Sequence, residues 1–245
     1  MSERIRLDLA LEQRGLVPSR ARARDAILRG TVTINDVTAV KQNQMVGKDD
    51  KLALSDPASN YVSRAALKLV AGLEAAEIDV TGKVCLDVGA STGGFTQVLM
   101  ERGAAKIYAV DVGHDQLHQR LRGSDRVINI EGFNARDLSA EQITDPVEVL
   151  VSDVSFVSVT KVLAAPLGLC APGASAVILF KPQFEVGRKN VGKGGIVTSA
   201  EAIAEALGEV VAFMAAQGFA HRMSVASPIT GGDGNQETVM VFART

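Results

Sequence analysis

The residues that staple a secreted protein are scarce in this sequence, with two cysteines, Cys85 and Cys170, and no tryptophan among 245 residues. Two thiols in separate apolar stretches supply neither a disulfide framework nor a metal-ligand spacing, so a reducing compartment is expected. Aromatic residues make up 4% of the chain, too few for serial stacking of nucleic-acid bases. Neither sign of charge prevails. There are 26 Lys and Arg against 28 Asp and Glu, a net of −2, which argues against indiscriminate binding to polyanions. At the N-terminus, charges at Glu3, Arg4, Arg6, Asp8 and Glu12 interrupt any apolar core that a signal peptide would need. The longest uncharged run, 162–180, is broken by Pro166, Gly168, Pro172 and Gly173. It reads as a helix end, a turn and a buried strand over 174–180, and not as a membrane span.

What is present is a chain that is 47% apolar and 22% charged, enough to build a core. Its charge is unevenly placed. Residues 1–60 hold ten Lys and Arg against eight acids, whereas 61–245 hold 16 against 20. Arg4, Arg6, Arg14, Arg20, Arg22, Arg24 and Arg29 crowd the first 30 residues.

The pattern along the chain changes once. Residues 4–54 read as a small α+β unit, with a helix over 7–13, a turn at 15–18 and a second helix from its N-cap Ser19 to Gly30. An alternating strand over 31–34 then enters a hairpin at Asn35-Asp36. The small polar stretch 55–60 suggests a linker. Beyond it, a helix over 63–77 is followed by apolar strands near 83–88, 106–110, 126–131, 147–152 and 174–180. Helices are expected between them near 95–102, 115–121, 159–165 and 200–217. That alternation implies right-handed crossovers and a mostly parallel sheet, closed by an antiparallel pair over 219–226 and 238–243.

The first large-unit strand breaks into Gly89-Ala90-Ser91-Thr92-Gly93-Gly94-Phe95, a glycine-rich turn that opens a helix. Ligands of open parallel sheets sit at such strand ends, and the glycines let backbone approach them closely. The turn matches neither the triphosphate loop nor G-x-G-x-x-G. Asp111 ends the next strand, where a carboxylate can accept the hydroxyls of a ribose, so any nucleoside cofactor is compatible. With Asp87 ahead of the turn and Asn134 near a third strand end, S-adenosylmethionine fits best, since its cationic end calls for carboxylates and carbonyls. Four more charged residues stand where a sheet would not hold them for stability. Asp153 and Lys181 follow strands, Glu237 opens the last strand, and Lys68 lies in the first large-unit helix. Methyl transfer to a hydroxyl needs the acceptor oxygen aligned and its proton removed, which a lysine of lowered pKa can do. His114 and His118, one turn apart, lack a third ligand and do not indicate a metal.

The segments LDVGASTGGFT, AVDVGHDQLHQRLR, VSDVSFVS and LFKPQFEVGR closely resemble the TlyA-type, hemolysin A-like ribosomal RNA 2′-O-methyltransferases, whose larger domain is similar to the FtsJ class. The resemblance extends over essentially the whole chain. It implies a Rossmann-like α/β class I methyltransferase sheet, mostly parallel with the last strand antiparallel, preceded by a small S4-like RNA-binding domain. The expected boundaries are 1–56, a linker at 57–62, and 63–245. The family's Lys-Asp-Lys-Glu tetrad carries over onto Lys68, Asp153, Lys181 and Glu237. Its S-adenosylmethionine pocket carries over onto Gly89, Ala90, Ser91, Gly93, Gly94, Phe95, Asp111, Asn134 and Asp153, with Asp87 beside it. In the first unit the S4 pattern rests on Ser19-Arg20, Ala23, Ile27, Gly30, Val32 and Ile34-Asn35. Arg20 and Arg24, one turn apart, share a helix face that reaches phosphates, and Arg4 and Arg6 join them as candidate RNA contacts. Arg188 and Lys189, in a glycine-rich loop after Lys181, are expected to close on RNA. The resemblance implies a cytoplasmic enzyme acting on ribosomal RNA, with assembled ribosomal subunits as partners and no membrane. A membrane-active hemolysin is the competing reading, but Glu201, Glu205 and Glu209 make one face of the late helix acidic where a membrane-surface helix would be basic. A ribosome-binding factor without activity is the other.

Overall fold

The computed structural model describes residues 4–245. The chain divides into two compact units, Met1–Asn60 and Tyr61–Thr245. In the smaller unit, helices Leu7–Gln13 and Arg20–Leu28 pack together, and Ser19 caps the second by accepting from the Arg22 N–H. The strand Val32–Ile34 lies between Val37–Thr38 and Leu52–Leu54, all antiparallel. Asn35 and Asp36 both take positive φ, the left-handed turn that joins twisted strands in a two-residue hairpin. A further pair, Ile5–Arg6 with Met45–Val46, is invisible to period counting because each strand is two residues long. The stretch read as a linker is tied down in part. Asp56 takes two hydrogen bonds of 2.6 Å from Arg29, and Tyr61 and Val62 pack on the core of the larger unit.

In the larger unit the strands are β1 (Val84–Val88), β2 (Lys106–Asp111), β3 (Val127–Glu131), β4 (Val147–Ser152), β5 (Cys170–Phe180), β6 (Phe219–Ala226) and β7 (Thr238–Arg244). They form one sheet in the order β6-β7-β5-β4-β1-β2-β3. Only β7 runs against its neighbours. Successive residues of a strand face opposite ways, so β1 sends Leu86 and Val88 into one apolar layer and Cys85 into the other. The Ala200–Ala216 helix covers the first layer through Ala206, Val210 and Met214. Helices Ala66–Ala75 and Gly94–Glu101 cover the second through Leu69, Leu73, Val98 and Leu99. Burial on both faces explains strands that read as continuous apolar runs.

Three expected elements differ. The helix over 115–121 shrinks to Gln119–Arg122, preceded by a loop. The helix over 159–165 is a 3₁₀ turn, Val159–Lys161, followed by Ala164–Gly168. The strand over 174–180 begins at Cys170, its pairing with β4 shifting between Cys170 and Ser175 so that Pro172 and Gly173 fall outside the ladder.

Candidate active site

The carboxyl ends of β1, β2, β4 and β5 lie on one edge of the sheet, and because β7 runs the other way its beginning lies there too. This single edge gathers the site. Phe180 of β5 pairs with Thr238 of β7, so the residues just beyond them, Lys181 and Glu237, emerge side by side from the same end of the ladder.

After β1 the chain turns at Gly89 with φ +86°. A Cβ there would lie 3.1 Å from the Val154 side chain and backbone nitrogen, so only glycine lets β1 and the segment after β4 approach. Ser91 follows with φ +47°, and its N–H donates to Asp111 Oδ2 at 2.8 Å. Asp111 Oδ1 accepts the Gly113 N–H at 2.7 Å. The Asp111 carboxylate is thereby fixed in orientation, with a lone pair on each oxygen left for a ligand. A cleft of about 470 Å³ opens here, between Gly89, Ser91, Asp111, Asn134, Asp153 and Phe156, within the usual range of small-molecule sites. A smaller cleft of about 140 Å³ shares Gly89, Ser91, Asp153 and Ser155 with the first and adds Ala90, Gly94, Phe95 and Lys181.

Lys181 is buried, and its ammonium meets Asp153 Oδ1 at 2.6 Å. It also donates to Ser155 Oγ at 2.7 Å and to the Asp153 carbonyl at 3.4 Å. Three acceptors for three N–H groups account for the charge of this largely desolvated ammonium. Ser155 was not singled out in the sequence, although it stands two residues after Asp153 in the same strand-end segment. Lys68, from the Ala66–Ala75 helix, is equally buried and meets Glu237 Oε2 at 2.5 Å. Neither Lys68 nor Glu237 lines either of these two clefts. Gly231 crosses so close to Glu237 that a Cβ would stand 2.8 Å from Oε1.

Two of the expected cofactor residues, Asp87 and Gly93, line neither cleft. Asp87 is fully buried behind the turn. Its Oδ2 accepts from Thr96 Oγ1 at 2.6 Å, its Oδ1 has no hydrogen-bond partner among the described residues, and burial pushes its carboxyl up to about 7. At Gly93 φ is +94°, and a Cβ would stand 2.2 Å from Leu121 and 2.7 Å from Leu117, so a side chain here would meet backbone strain and push the two leucines aside. Asn134 does line the larger cleft, with its Oδ1 accepting the Arg136 N–H at 3.1 Å.

The candidate RNA contacts fall into three groups. Arg6, Arg20 and Arg24 converge on Asp8. Arg4 turns away to the Met45 carbonyl. Arg188 and Lys189 are exposed on a 3₁₀ turn, line neither cleft, and belong to a loop tethered by Asn235, which donates to the Gly195 carbonyl and accepts from the Val197 N–H. Phe156, also unremarked in the sequence, is 91% exposed at the mouth of the larger cleft and has φ +67°.

A doubly covered sheet with one reversed strand, a glycine turn after β1 and an acidic residue closing β2 define a methyltransferase of the Rossmann-like class. The chain belongs to the FtsJ-like methyltransferase family, whose model matches residues 61–244, and the S4 domain model matches residues 5–52. It is 44% identical over 239 residues to the 16S/23S rRNA (cytidine-2′-O)-methyltransferase TlyA of Mycobacterium tuberculosis, covering 97% of this chain and 89% of that protein. It is 39% identical to Hemolysin A of Brachyspira hyodysenteriae, covering 97% of this chain and 99% of the relative. A solved Streptococcus thermophilus chain named for hemolysin superimposes with a TM-score of 0.77 at 35% identity, covering 100% of this chain and 90% of the other. Among the described residues no helix is long and apolar enough to cross a membrane.

Proposed function

We propose that this methyltransferase uses S-adenosylmethionine to methylate a ribose 2′-hydroxyl, on cytidine, in ribosomal RNA within assembled subunits in the cytoplasm. The observation that carries the reading is the 2.6 Å pair between buried Lys181 and half-buried Asp153, where the two clefts meet. The residues present fit the cofactor. Gly89 and Ser91 offer close backbone, Asp111 offers pre-oriented acceptors for ribose hydroxyls, and Asn134 stands across the larger cleft. Asp153, shared by both clefts, would offer a negative charge to the cofactor's cationic end. When bound, the cofactor supplies an electrophilic methyl group.

The protein's task is then to aim an oxygen and take its proton. Lys181 must enter the reaction as a neutral amine, receive the hydroxyl proton on Nζ, and leave as an ammonium. Asp153 and Ser155 are placed to stabilise that ammonium. Lys68 and Glu237 touch neither cleft, so they act as positioning residues through the neighbouring ladder and the local field. Phe156, exposed at the mouth, offers an apolar ring beside which a nucleoside can settle. The S4 unit carries the excess of arginines and holds the RNA.

Lys181→Ala is expected to bind S-adenosylmethionine with the parent's affinity in calorimetry while losing transfer of labelled methyl groups to unmodified subunits by 10²-fold or more, the order expected for a lost acid–base group. Full transfer by this variant refutes the assignment. Mapping the labelled product tests the 2′-oxygen, and a base-methylated product removes it.

A further inference from the structure

Asp8 is fully buried in the N-terminal unit, and three arginines from two segments of chain meet on it. Arg6 donates Nε to Oδ1 at 2.9 Å and Nη2 to Oδ2 at 3.0 Å. Arg20 Nη2 and Arg24 Nε donate to Oδ2 at 3.1 and 3.2 Å, and the Leu9 N–H donates to Oδ1 at 3.0 Å. The Arg6 hydrogen bond above all, then those from Arg20 and Arg24, hold this carboxyl well below the ordinary carboxylate range. The carboxylate is sealed, but the guanidinium groups are not. Their side chains are 41%, 43% and 47% exposed.

Neutralising one buried carboxylate takes one arginine. Three leave a local excess of two positive charges, which stands as repulsion within the free protein. Each guanidinium has five N–H donors in a fixed fork, and most of them have no partner among the described residues. A free arginine also loses rotamer freedom when it grips a ligand. Here folding has already fixed the side chains.

Resting on the functional reading above, we propose that Asp8 is a positioning residue that holds Arg6, Arg20 and Arg24 as a pre-formed fork for the phosphate backbone of folded RNA. Such a fork sets register without reading sequence. Guanidinium groups grip phosphate through paired donors, and their orientation matters as much as their charge.

The test uses the full chain, with unmodified ribosomal subunits and a short RNA duplex as probes, and follows binding across a salt series. Asp8→Asn removes a negative charge from an RNA-binding face. If the arginines act only as charge, the variant binds more tightly. If Asp8 aims them, affinity falls about tenfold and the salt dependence becomes shallower, because fewer phosphates are neutralised. Arg24→Lys keeps the charge and loses the fork, and is expected to weaken binding as well, which keeps the test decisive should Asp8→Asn unfold the small unit. Parental or tighter binding by the folded variants, with methyl transfer by the parent intact, overturns the positioning role alone. A parent that binds neither probe overturns the functional reading and this role with it.

Discussion

Asp87 shows how one side chain can sit beside a site without entering it. Its carboxyl is pushed from 3.8 up to about 7 by burial, so between those values the folded protein holds a proton that the unfolded chain has given up. Stability must therefore fall as pH rises through that window. Asp87→Asn mimics the protonated form, so its melting temperature should exceed the parent's, by less at pH 5 than at pH 8. A deficit at both values would show that the charge is needed. The sequence reading placed Asp87 on the cofactor because strand-end acids often lie there. Nothing local reveals that Thr96, one helical turn into the next element, claims it. The meeting of Arg6, Arg20 and Arg24 on Asp8 was hidden for the same reason, since it joins residues up to 16 positions apart.

Among the elements, turns that look alike are built for different reasons. Gly93 and Gly194 both take left-handed backbone, but a Cβ at Gly194 would meet nothing within 4 Å, whereas one at Gly93 would press on two leucines. Gly194→Ala should cost only the backbone strain, about 1 kcal/mol. Gly93→Ala adds overpacking of a further ~1–3 kcal/mol and should lower the unfolding midpoint clearly more. Equal losses would remove the packing account of Gly93. Strand periodicity was legible because the sheet is buried on both faces. The shortening of the expected helix over 115–121 to Gln119–Arg122 was not. Glu131 accepts the backbone N–H groups of Asp115, Gln116 and Leu117, which gives this loop hydrogen bonds that a helix would otherwise provide. The partner comes from another strand, so no local pattern betrays it.

For the whole molecule, the division of labour is written in the charge. The first unit is basic on balance and carries the arginine fork, while the second is acidic and carries both clefts. Hydrogen exchange with saturating S-adenosylmethionine should show added protection over 89–95, 111–117 and 153–157, and none over 5–52. Protection confined to the N-terminal unit would misplace the cofactor. The tetrad residues were readable one by one as charges out of keeping with apolar strands. Their grouping into two ion pairs, Lys181 with Asp153 and Lys68 with Glu237, was not.

The juxtaposition of Lys181 and Glu237 is stored in main chain, through six consecutive residue pairs ending at Phe180 and Thr238. Deleting a single residue from either strand would invert the side chains of that strand and silence catalysis even if the sheet survived. Loops are free of that constraint, so 187–197 and 227–236 should accept an inserted residue where the rungs beneath them would not.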